Sequence, residues 1–152
     1  MTYTPEESAA VLKAVTLSGV AIAMSDLGII STAIEATALA QEVAGAAKKY
    51  PNNSIIQSVF SDESLKKLHL DTPKDITPEN ALDQAIGAVN AAVAVLTPTA
   101  TPEELAEYKQ FIYAAADHVA NAAGSGLFGS GSPKVSDKEM VALTKLKAAL
   151  SI

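Results

Sequence analysis

Thr101-Pro102-Glu103-Glu104-Leu105, running on to Ala122, is the stretch whose reading decides the fold. A threonine hydroxyl can cap free backbone N–H groups, and proline fits the first helical position, where no N–H is needed. The two glutamates then face the positive end of the helix dipole. Behind this start, Leu105, Ile112, Ala115, Val119 and Ala122 step by sevens, threes and fours, which is one face of a helix.

The same device recurs at Thr4-Pro5-Glu6-Glu7 and Thr77-Pro78-Glu79. Thr4 with Glu7, Thr32 with Glu35, Thr101 with Glu104 and Ser136 with Glu139 all have capping-box spacing. Together these starts predict helical segments at 5–24, 31–49, 54–60, 62–69, 78–96, 102–123 and 137–150. Leu82, Ile86, Val89, Val93 and Leu96 give one apolar face, and Met140, Leu143, Leu146 and Leu150 another. No run alternates as a strand would. The expectation is an all-α fold, one compact bundle of about seven helices spanning 1–152 as a single domain.

Composition narrows what such a bundle can do. The chain has 152 residues, 49% hydrophobic and only 5% aromatic, with a mean hydropathy of +0.22, so it can bury a real core. It carries 29 Ala, whose small side chains let helix axes approach closely. With no Cys there is no thiolate metal site, disulfide or thiol nucleophile. With no Arg there is no bidentate clamp for phosphate. A net charge of −6 disfavours a general nucleic-acid surface. Met1–Glu7 lacks a basic leader, which points to the cytoplasm, and the Asn52-Asn53-Ser54 sequon is read as chance.

Ala14–Ile34 is 21 residues with one charge, Asp26, close to the length of a membrane span. Asp26, Gly19 and Gly28 favour a buried helix followed by a turn instead. The second uncharged run, Gln84–Pro102, contains Asn90 and ends among prolines, so its apolar part is too short to span. No membrane association is expected.

A carboxylate in so apolar a stretch must be hydrogen-bonded, paired, metal-bound or neutralised. Asp26 therefore either caps the following helix or, with Glu35, offers oxygen ligands to a hard cation such as Mg2+ or Ca2+. Carbonyls, water or other acids would complete that shell. His118, beside the apolar stripe seven residues after Phe111, reads as a packed histidine with one hydrogen bond; its neighbour Asp117 points elsewhere. His69 reads as a surface residue. Gly124-Ser125-Gly126-Leu127-Phe128-Gly129 matches G-x-G-x-x-G but follows a helix where a dinucleotide site needs a strand. It is expected to close a helix and continue as a surface loop over 124–134.

Two segments echo each other. Val20-Ala21-Ile22-Ala23 leads through Ser25-Asp26-Leu27-Gly28 to Thr32-Ala33-Ile34-Glu35, and Val119-Ala120-Asn121-Ala122 leads through a glycine-rich loop to Ser136-Asp137-Lys138-Glu139. Ser25-Asp26-Leu27-Gly28-Ile29-Ile30-Ser31 followed by Glu35 resembles the helix-loop-helix signature of the TerB-like tellurite-resistance family. Here Leu27 stands between the acid and the glycine, and the second loop carries no acid. The resemblance implies an all-helical fold with internal two-fold character, a link to metal ions and a role in bacterial stress responses. It implies Asp26 and Glu35 as the acids of the first arm and Glu139 as that of the second. The resulting expectation is a non-enzymatic binding module holding a divalent cation (Ca2+ or Mg2+), with no organic cofactor. The alternative is a structural or protein-interaction domain with no ligand, homodimeric through an Ala-rich helical face. A small enzyme using Asp26, Asp117 or His118 is the weakest reading.

Overall fold

The computed structural model describes residues 2–25, 32–68, 74–127 and 135–152, with 32–35 and 123–127 described by backbone alone. The described residues form seven helices and no strand: α1 Pro5–Ser25, α2 Thr32–Lys49, α3 Ser54–Val59, α4 Asp62–Lys67, α5 Ala81–Leu96, α6 Pro102–Leu127 and α7 Asp137–Leu150. The all-α bundle expected from the capping grammar is the fold.

Three capping boxes are built as their spacing predicts. The Glu7 N–H donates to Thr4 Oγ1 at 3.1 Å while the Thr4 N–H donates to Glu7 Oε2 at 2.8 Å. Thr101 with Glu104 and Ser136 with Glu139 repeat the exchange at the starts of α6 and α7. Each box satisfies two N–H groups that the first helical turn leaves without partners. The Thr32–Glu35 box lies outside the described side chains.

Helix α1 is the axle. It packs against α2, α3, α5, α6 and α7, and Val11, Leu12, Ala14, Val15, Leu17, Ala21 and Ile22 are buried on several sides of it. Such all-round burial suits a helix with no charge between Lys13 and its end only if that helix runs through the core. Its buried polar groups are answered locally: Ser18 Oγ donates to the Ala14 carbonyl at 2.6 Å. The Tyr108 hydroxyl, fully buried on α6, donates to the Val11 carbonyl at 2.7 Å. Gly19 brings α2 close, since a Cβ there would stand 2.6 Å from Leu39 Cδ1. Three aromatic rings pack together, with Phe60 meeting Phe111 edge-on at 5.2 Å and Tyr50 tilting against Phe111 at 5.6 Å.

Four local expectations need correction. Helix α5 begins at Ala81 rather than 78, because Thr77 and Asn80 exchange side-chain hydrogen bonds and hold a turn there. Its buried line is Ala81, Ala85, Val89, Ala92 and Leu96, while Leu82, Ile86 and Val93 flank it half-buried. Alanines take the centre because α1 and α5 pack too closely for larger side chains. On α7 the inward line is Glu139, Ala142, Leu143, Leu146 and Leu150, and Met140 is 55% exposed. The capping box turns Glu139 toward the core and so rotates its neighbour Met140 outward. Finally, α6 runs through Gly124 and Gly126 to Leu127. Each glycine costs a helix only about 1 kcal/mol, which an already propagating 26-residue helix can absorb. Residues 128–134 of the expected loop lie outside the described residues.

Candidate functional site

The expected acids divide between what is described and what is not. Helix α1 ends at Ser25 and α2 starts at Thr32, so in sequence Asp26 follows the first helix and Glu35 falls in the first turn of the second. Asp26 itself and the Glu35 side chain lie outside the described residues. Glu139 is described: it is only 2% exposed, and its Oε2 accepts from the Ser136 N–H at 2.8 Å. Its carboxylate thus serves the start of α7. Among the described residues no group of three or more His, Asp and Glu side chains is placed to hold a metal ion.

A polar cluster does form where α2 crosses α6. His118 Nδ1 lies 2.7 Å from Glu42 Oε1, and Lys49 Nζ stands 3.8 Å from Glu42 Oε2. The Glu42 side chain is 17% exposed and that of His118 42%, so the carboxylate is sheltered while the imidazole borders solvent. With its proton on Nδ1 the ring donates to Glu42, and its second nitrogen is left to accept. His118 therefore makes the hydrogen bond expected of it, at the edge of the core rather than within it. The backbone carbonyl of Asp117 accepts from Asn121 Nδ2 at 2.8 Å. Glu42 was not singled out from the sequence. The signal was there: Glu35, Glu42 and Lys49 recur every seven residues and so share one face of α2.

A second cluster ties the starts of α3 and α6 together. Asn53, fully buried, accepts from the Ile56 N–H with Oδ1 and donates through Nδ2 to the Glu104 carbonyl and Glu107 Oε2. Glu104 accepts from the Ser54 N–H at 3.0 Å and from the Thr101 N–H at 3.1 Å. The Ser54 side-chain hydroxyl, followed by the Thr101 backbone N–H, holds its carboxyl at about 2, against the burial that opposes ionisation. Burial also raises the pKa of the Tyr108 phenol, of Tyr3 and of Tyr50. This cluster binds helix to helix, with the buried Asn53 amide bonded through both its oxygen and its nitrogen.

Between α1 and α5 runs an open groove of about 370 Å³, lined by Ala10, Lys13 and Leu17 on one side and Gly87 and Ala91 on the other. Helix α1 is also long and apolar enough to cross a membrane, with half of its most apolar window buried inside the fold. The core helix of a soluble protein passes the same test.

No family model matches the chain, and neither a curated protein nor a solved structure is detectably similar to it.

Proposed function

We propose that this chain is a non-enzymatic, TerB-like helical binding module that takes a divalent cation of the Ca2+ or Mg2+ class at the junction of α1 and α2, in a bacterial stress response. What carries the reading is the position of Asp26 and Glu35 in the sequence. They bracket the connection between two helices, one of them the core axle, and Asp26 is the sole charge of Ala14–Ile34. Hard cations prefer oxygen ligands, and a short connection adds backbone carbonyls to two carboxylates, with water filling the remaining positions. Glu139 is the acid that the second arm of the family pattern supplies.

The test is a calorimetric titration of Ca2+, Mg2+, Mn2+ and Zn2+ into the full chain, paired with thermal melts. The reading expects heat and a raised melting temperature with Ca2+ or Mg2+, both lost in Asp26→Asn and Glu35→Gln. A wild-type chain that gives neither heat nor a thermal shift with any of the four ions overturns it.

A further inference from the structure

Among the described residues three large hydrophobic side chains are exposed, and all lie on α7 or at its end: Met140 at 55%, Val141 at 54% and Ile152 at 40%. The helix already buries its other side through Leu143, Leu146 and Leu150, so no rotation about its axis could hide them. At 3.6 residues per turn Met140, Val141, Thr144 and Ala148 form one outward strip, and all four are exposed. Lys147 borders the strip on one edge, where its ammonium stands 5.6 Å from the centre of the Tyr113 ring. Lys138 and Lys145, both exposed, border it on the other, and Asp137 closes its N-terminal end. The second acid of α7, Glu139, is buried and bonded to Ser136. Of the seven described helices α7 is the one in which lysines outnumber acids, so its outer face is positive in a chain of net charge −6.

We propose that this strip docks a helical segment of another protein, apolar along one seam and acidic on both flanks. Charge complementarity selects that occupant. Two copies of α7 face to face would set lysines against lysines, with only the Asp137 of each copy to offset them, so a second copy is opposed. An anionic bilayer or a nucleic acid spreads its negative charge over an area wider than α7. There it meets the rest of the chain, which is more acidic than the whole. Phosphates also gain nothing from Met140 and Val141. A single acidic helix reaches α7 alone: its seam covers the methionine and valine, and its carboxylates stand opposite the lysines on each edge. From Met140 to Ala148 the strip runs for about 12 Å, room for about two turns of a facing helix. The unbranched methionine adapts its shape to the seam it meets.

The test uses the full chain and two fluorescent synthetic helical peptides that share one leucine seam. One carries glutamates on both flanks and the other carries glutamines. Anisotropy titration should show the glutamate peptide binding about tenfold or more tightly than the glutamine peptide, with a difference that shrinks as salt is added. Its footprint of shifted amide signals on the 15N-labelled chain should centre on α7. Lys138→Glu with Lys145→Glu, on the edge away from Tyr113, should abolish the preference for the glutamate peptide. Met140→Gln with Val141→Gln should weaken both peptides about tenfold, while circular dichroism and thermal melts check that each variant is folded. Flotation with phosphatidylglycerol–phosphatidylcholine vesicles and sedimentation velocity of the chain alone test the other occupants. The proposal is overturned if the glutamate peptide binds no tighter than the glutamine peptide, or if its footprint falls away from α7. It is equally overturned if vesicle binding or self-association occurs and is lost in these same variants.

Discussion

Replacing Glu104 by glutamine separates what this carboxylate does as a charge from what it does as a shape. In the native chain each of its oxygens accepts one backbone N–H, from Ser54 at the start of α3 and from Thr101 at the start of α6. Glutamine keeps one carbonyl oxygen and turns an NH2 group toward the other donor. One charge-assisted bond is lost, a second is weakened, and two helix dipoles lose their counter-charge. Taken at face value, the fall in pKa from 4.5 to about 2 corresponds to about 3 kcal/mol. Solvent reaches the carboxylate and screens it, which reduces the expected cost to about 1–2 kcal/mol. The sign follows from the lowered value. This stability is fully present above pH 4.5 and disappears as pH falls toward about 2. Urea unfolding of wild type and E104Q at pH 7 and near pH 2 measures it directly. The variant should be less stable by that amount at neutral pH, and the two curves should converge in acid. An unchanged midpoint at pH 7, or the same penalty at both pH values, would refute the reasoning.

Three further outcomes follow from the packing. Gly45→Ala places a methyl group in open space on α2 and should stabilise by about 0.5–1 kcal/mol in a thermal or urea melt. Gly19→Val drives side-chain atoms into Leu39 and should destabilise by about 1–3 kcal/mol in the same assay, with α2 the first helix to loosen in hydrogen exchange. Tyr108→Phe removes the hydroxyl bond to the Val11 carbonyl and should lower urea stability by about 0.5–1.5 kcal/mol while leaving the helical circular dichroism unchanged.

How much of this was readable from the sequence depends on whether a feature is local. The boxes at Thr4, Thr101 and Ser136 need only residues three apart, so they located helix starts that the structure reproduces. The inward face of α7 did not follow from its hydrophobic residues. Met140 fits the spacing, but the neighbouring Glu139 occupies the buried side because its cap bond holds it there. Similarly, Leu82 and Ile86 outrank Ala81 and Ala85 in hydropathy, yet close approach to α1 selects the smaller side chains for the centre. The Glu42–His118 pair joins residues 76 apart in sequence, and only the crossing of α2 over α6 brings them together. His118 could be marked as a residue needing one partner; which partner was a matter of tertiary packing.

The claim that most needs a direct measurement is the cation at the helix junction. Mn2+ can stand in for the hard cation, since it broadens the amide signals of residues near its binding site. Added in small steps to the 15N-labelled full chain, it should first broaden the amides from Ser25 to Ala36, and excess Mg2+ should reverse the effect. Broadening that begins instead at the acidic start of α6, or that spreads evenly over every surface carboxylate, would contradict the account.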